Sequence, residues 1–484
     1  MYSHGKTHAP TQLPLAFLTL LILVVPLLLF VAACGGGGVS GSTETPTPAP
    51  AAVQFRVGDA PSDRLVSVEA SVAALHLTDS KGNQINILPA TRRLEFIHLA
   101  DTSEPVALLQ VPQGTYNTAT IDGAGVHVSY LDVDGELHEF QSDTSDRMVV
   151  PISPAVTIGS ATTIVSADLD VASWITIDPV NNTPPVLNNP VFTFNTAPVK
   201  TSGGQEPEDG RQEHILGIVT NVSGSSFTVA PGQNRVSLTF KTDSKTEFED
   251  VAPDTLANMI VKVNGVTQAD GSLLATYICG MENTEGVEVE GLVYWDYLTA
   301  YDLWLIPQDG NGAGLANVPE PAFGQTLHLS LADASYEVDT DNVDMTGLTD
   351  YHFMFDWDHV GAGQRIMVKG STGIVQPDPD GTDGLVTTNK VYLEKQSISG
   401  TVDAYSTLEN GGAWFNLLLS NDSYLTILNS PPVTWVTVWQ QPGTELHGIT
   451  SIKDGDQVRV RGLLFRDGKG GYGAFNLAAQ RISK

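Results

Sequence analysis

Cysteine is nearly absent: Cys34 and Cys279 are the two in 484 residues, so a disulfide-stapled scaffold is excluded. Basic residues are also scarce, with 24 Lys and Arg against 55 Asp and Glu and a net charge of -31. A body so acidic repels phosphate backbones, which speaks against nucleic acid as a partner. The sequence contains no G-x-S-x-G, H-E-x-x-H, glycine-rich phosphate loop or Cys pair, and its eleven His are scattered. Amphipathic helical periods are missing too. Instead 46 Gly and 28 Pro punctuate short runs rich in Val, Thr and Ser, the pattern of strands joined by turns. The expected fold is all-β: an N-terminal β-sandwich followed by about three small OB-like β-barrel units.

One long apolar run stands apart. Leu15 to Ala33 carries no charge and ends in Val31-Ala32-Ala33-Cys34. Small residues before a Cys at the end of such a run resemble the lipobox of bacterial lipoproteins. That resemblance implies cleavage before Cys34, diacylglycerol on its thiol and an acyl chain on its amine. Two or more buried chains make a stable anchor. The alternative is an uncleaved membrane span, which the length of the run allows. Residues 1–33 are thus read as a signal peptide. Residues 34–52, in which four glycines follow Cys34 and a stretch rich in Thr and Pro comes next, are read as a flexible tether. Gly35, not Asp, follows the Cys, which by analogy with Gram-negative sorting leans to the outer membrane or cell surface.

Residues 53–199 read as strands throughout. Val66, Val68, Ala70 and Val72 alternate with polar residues as in a half-buried strand, and the phase then slips to Leu75 and Leu77, predicting a bulge near Ala73-Ala74. A three-residue hairpin loop in Asp132 to Gly135 would set Tyr130 opposite Phe140. Val111 to Tyr116 reads as a turn entering a strand, with Tyr116 to pin it. A polar stretch, 200–214, reads as a linker.

Residues 215–284, 285–396 and 397–484 repeat one plan. Each opens with a Gly (Gly217, Gly291, Gly400) and has a strand ending in Gly (Gly265, Gly370, Gly462). Each closes on an apolar strand, Ala275 to Ile278, Val391 to Leu393 and Ala479 to Ile482. About five strands per unit suit a small closed barrel.

These residues resemble two families. Gly58-Asp59-Ala60-Pro61, the Val66 to Leu77 strand and Pro112-Gln113-Gly114-Thr115-Tyr116 are similar to domain of unknown function 4382, common at the start of bacterial surface lipoproteins. The opening Gly, the V-x-V-x-G strand and the A-x-x-I close are similar to domain of unknown function 5666. The first resemblance covers most of 53 to about 170. The second covers residues 215–278 well, the last unit fairly and the middle unit poorly. Neither implies a catalytic residue or a cofactor.

Candidate sites are few. His352 and His359 lie near Asp356 and Asp358, in a pattern that suits a metal or an ordinary polar loop. Asp333 to Asp358 holds eight acidic residues and no Lys or Arg, and Asp378-Pro379-Asp380-Gly381-Thr382-Asp383-Gly384 adds three carboxylates. Oxygen ligands on a turn suit Ca²⁺, and solvated turns use the same residues. Tyr294, Trp295, Tyr297, Tyr301 and Trp304, then Trp414, Tyr424, Trp435 and Trp439, offer a stacking surface for a glycan or ordinary packing. Trp435 and Trp439 share one strand face. From Lys453 to Lys484, seven basic residues meet three acidic ones, suiting anionic lipid or a solvated sheet edge. Cys279 reads as a small buried residue.

The reading is therefore a non-catalytic envelope lipoprotein, lipid-attached at Cys34, acting as a binding or structural module. Its partners are expected to be a membrane through the anchor, a glycan or an envelope protein, with no nucleic acid; its ion, if any, would be Ca²⁺. The alternatives are a hydrolase using carboxylates of the middle unit and an OB-like oligonucleotide binder, the latter disfavoured by charge.

Overall fold

A computed structural model describes residues 49–484 except 61–62, 89, 101, 144–146, 182, 201–204, 232–235, 284–285, 297–300, 313–325, 373–385 and 469–473. Cys34, the leader, Tyr297 and the Asp378 to Gly384 turn lie outside the described residues. Among the described residues no helix is long and apolar enough to cross a membrane.

The expected all-β architecture is what the chain adopts. Two sheets form the N-terminal sandwich. One orders Phe192–Pro198, Thr163–Asp170, Ala51–Ala60 and Ser103–Val111, with the middle two parallel. The other centres on Leu65–Asp79 paired with Gly114–Leu131, flanked by Gln84–Asn86, Arg92–Glu95, Leu137–Ser142 and Arg147–Ile158. Phe55, Leu77, Phe96, Val128 and Val165 fill the space between.

The bulge near Ala73-Ala74 is present: Val72 pairs with Gly123 and Ala74 with Asp122. Tyr116 does pin the turn, its hydroxyl donating to the Pro112 carbonyl at 2.8 Å. The hairpin register differs. Leu131 pairs with Leu137, so Tyr130 faces His138 and Phe140 faces Val128. The cause is local. Asp132 Oδ1 accepts from the backbone N–H groups of Asp134 and Glu136, each at 2.9 Å, and this holds a wider loop. Leu65–Asp79 is also more than half-buried. Val66 bulges outward to meet Leu292 and Ile306, and Glu69 is buried against Arg93.

Three barrels follow. In the first, Arg211–Ser223 pairs antiparallel with Ser226–Ala230 and Met259–Thr267, while Leu238–Lys241 pairs parallel with Leu273–Asn283 and closes the ring. Its opening strand begins inside the stretch expected to be linker, because Gln212 and Glu213 are buried against neighbours. Gly286–Asp296, Asp302–Gly312, Leu327–Ser330, Arg365–Thr372 and Val386–Leu393 repeat the pattern, so the middle unit, poor in sequence likeness, keeps the plan. Lys395–Thr407, Ala413–Leu418, Trp435–His447, Gln457–Arg466 and Phe475–Ser483 close the third. The opening glycines mark a close approach of strands. A Cβ on Gly291 would lie 2.1 Å from the Ile306 carbonyl oxygen, and one on Gly400 would lie 2.5 Å from that of Leu418.

The modules share apolar seams. Leu216, Ile260, Cys279, Met281, Met367 and Tyr392 join the first two barrels. Val343, Leu348, Leu393, Leu463 and Phe465 join the second and third. Leu131, Leu292, Ile306 and the short helix Tyr424–Leu428 tie the sandwich to both. Residues 48–484 form one compact unit.

Candidate functional site

Beside these apolar seams, the junction of the modules also buries charge. The opening strand of the first barrel bulges between Gln212 and Ile215, and this puts His214 at φ 56°. Its backbone N–H donates to Asn264 Oδ1 at 2.6 Å, which holds that conformation. The ring then reaches the second barrel, with Nε2 2.5 Å from Glu290 and Nδ1 3.4 Å from Glu394. Lys262 lies 2.9 Å from Asp339 and 3.5 Å from Glu394, and Lys395 lies 3.0 Å from Asp339. Arg365 sits 2.5 Å from Glu290 and donates to the His98 carbonyl of the sandwich at 3.0 Å. Arg461 and Ser397 of the third barrel both donate to the Ala100 carbonyl.

Isolated charges could not stay buried here, so each is paired. Burial alone would lift the Asp339 carboxyl, but Lys262 and Lys395 outweigh it and hold it well below the usual range. Burial opposes Glu290 in the same way, and Arg365 with His214 overcomes it. Glu394 is pushed up by burial, which Lys262 and His214 offset only in part. His98 lies between Glu95 at 2.8 Å and Glu104 at 3.1 Å. Burial would lower its pKa, yet the Glu104 and Glu95 carboxylates bring it up to about 9. The space at the centre is about 20 Å³, bounded by His98, Glu213, His214, Glu290, Glu394 and Lys395 among others. That holds about one water.

Two triplets here, His98 with Glu104 and Asp309, and His214 with Asp339 and Glu394, bring ligand atoms within 4.8 Å of one another. The carboxylates of the second already face Lys262 and Lys395, which supply the positive charge an ion would bring.

The sequence candidates fall elsewhere. His352 faces Asp467 at 2.8 Å and His359 faces Asp356 at 2.7 Å, so the two histidines serve separate pairs. The acidic insertion is not a splayed loop: Asp339 enters the buried cluster, and Asp344, Asp350 and Asp356 accept backbone N–H groups of their own turns. The Trp435–Trp439 pair is broken up. Trp435 is 53% exposed, while Trp439 packs edge-on against Phe353 and donates to Asn476 Oδ1. Tyr294 donates to the Gly135 carbonyl, and Trp304 stacks on His328 at 4.7 Å. Trp295 and Tyr301 stay exposed. The basic C-terminal stretch does not lie free, since Arg461 and Arg481 are buried at the junction. Cys279 is buried in the seam of the first two barrels, and burial pushes its thiol up to about 11. The buried cluster itself escaped sequence reasoning. Its one trace was charge alternating with Val in Val287-Glu288-Val289-Glu290 and Val458-Arg459-Val460-Arg461, which reads as a solvent face.

Residues 217–278 match the family described as "Domain of unknown function (DUF5666)". They lie within the first barrel, so the DUF5666 match gives the repeated plan a family likeness without a chemistry. No curated protein matches the chain. Among solved structures, "drosophila Unr CSD456" shares 10% identity, with 55% of this chain and 95% of that one covered, at a TM-score of 0.12. A likeness that slight carries no argument.

Proposed function

We propose that this chain is a non-catalytic envelope lipoprotein, attached to a membrane through lipid on Cys34, whose body serves as a rigid binding or structural module. The observation that carries the reading is the buried cluster. Asp339 and Glu394 have affinities for protons pushed apart, as an acid–base pair needs. Yet Glu394 faces a space of about 20 Å³, room for about one water, and Asp339 is not in its lining but is held by Lys262 and Lys395. Charge placed there fixes modules against one another. The leader ending at Cys34, the tether, and the likeness of the sandwich segment to domain of unknown function 4382 support the envelope address. The partners are then the anchoring membrane and a glycan or envelope protein. Among the described residues, Trp295, Tyr301, Tyr351 and Trp435 are the large aromatic side chains exposed for such contact.

The anchor is tested by growing cells with radiolabelled palmitate. The expected result is label on the wild type and none on Cys34→Ser, which also keeps its leader. Equal labelling of both would overturn the attachment site. Capture of a saturable glycan or envelope protein by the anchored protein supports the module, and turnover of a glycan by it would overturn the non-catalytic reading.

A further inference from the structure

The sandwich fails to close along one edge. Gly114–Leu131 changes partner part-way along: its pairing with Arg147–Ile158 ends at Asp122, and its pairing with Leu137–Ser142 starts at Val126. Between them lie Gly123 and Gly125, the latter at φ 143°. The facing strand shifts register twice between Ser71 and Ala74. With small residues and a double bulge at one level, the two sheets part. The result is a cleft of about 580 Å³, partly open to solvent. Packed interiors leave few voids larger than a water, and roughly 300–1,000 Å³ is the range of small-molecule sites.

Its chemistry is specific. Phe96, Leu169 and Trp174, all buried, form the floor with Ile121. Val72, Met148, Val150, Leu187 and Phe192 form the walls. The rim is polar but neutral: Ser71, Asn188 and Asn189. Asn188 is fixed by donating to the Ser173 carbonyl and to Thr176 Oγ1, at 3.1 and 2.9 Å. Arg147 is the ionisable residue of the described lining, and its charge is already matched. It holds Asp122 through two bonds, at 2.6 and 2.8 Å. A charged ligand would leave water for a site with no free counter-charge, which is costly. An anion would also meet the field of a body with net charge -31.

We propose that this cleft binds an uncharged, largely apolar small molecule with one hydrogen-bonding end, the apolar part on the aromatic floor and the polar end at the Asn188–Asn189 rim. This goes beyond the envelope reading and stands whether or not Cys34 is acylated.

The test is photolabelling of the full-length protein in detergent with benzophenone, an uncharged two-ring ketone, followed by peptide mapping. Saturable labelling of residues 147–150 and 187–192 is expected. Uncharged indole should compete, and indole-3-acetate, the same ring bearing a carboxylate, should not. Val150→Trp projects a ring into the cleft from an edge strand and should weaken labelling about tenfold or more. Met148→Trp does the same two residues away, so the test survives if one variant misfolds by circular dichroism. Diffuse labelling that neither folded variant reduces, or equal competition by the carboxylate, would overturn the proposal.

Discussion

Replacing Lys262 by Met removes a cation from the buried cluster while keeping the length of the side chain. Lys262 is 3% exposed and lies 2.9 Å from Asp339 and 3.5 Å from Glu394. At an effective dielectric constant of about 20, a contact of that length amounts to about 6 kcal/mol of gross attraction. Much of this offsets the cost of dehydrating the pair. Breaking one partner from a buried pair typically costs about 3–5 kcal/mol, because the other charge stays behind uncompensated. Asp339 keeps Lys395 at 3.0 Å, so the main loss falls on Glu394. Urea unfolding should show the midpoint falling by an amount equivalent to about 3 kcal/mol at neutral pH with the slope unchanged. The deficit should shrink as the pH falls and Glu394 takes up a proton. Adding Glu394→Gln should restore part of the loss. A Lys262→Met midpoint within about 1 kcal/mol of the wild type would refute the reasoning, since that is the size of an exposed pair.

Two further outcomes are expected. His98, raised to about 9 when folded, contributes stability that is fully present below its unfolded value of about 6.5 and is lost as the pH rises through 9. The melting temperature should therefore fall across that window, and His98→Gln should flatten the slope; an unchanged slope in the variant would count against the pairing with Glu104 and Glu95. Gly291→Ala should cost about 1–3 kcal/mol by overpacking, as its Cβ would meet the Ile306 carbonyl oxygen at 2.1 Å, whereas Gly159→Ala, with open space around it, should be near neutral in the same thermal melt.

What was legible in the sequence is what strands encode locally. The slip in phase after Val72 announced its bulge, and the paired glycines of each barrel announced a repeated seam, because both are set by neighbours within one or two strands. The Tyr130 register went astray because a single carboxylate, Asp132, closes a wider loop than the Asp-Gly step suggests. The buried cluster was out of reach for a different reason. Lys262 meets Asp339 and Glu394 across 77 and 132 positions, and Arg461 meets Ala100 across 361. At Lys262 and Arg461 a charge alternating with Val looks solvated until another module covers it. The cleft was hidden likewise, since it exists through the parting of two sheets and not through any motif.

Between the last strand of the second barrel, ending at Leu393, and the first of the third, starting at Lys395, stands one residue, Glu394. A join that short leaves no slack, and it is itself a member of the ionic knot. Severing the chain there would strip Leu463 and Phe465 of their cover and strand Lys395 without Asp339. The third barrel is thus a poor candidate for expression by itself, and a fragment starting at this point should clump rather than fold cleanly.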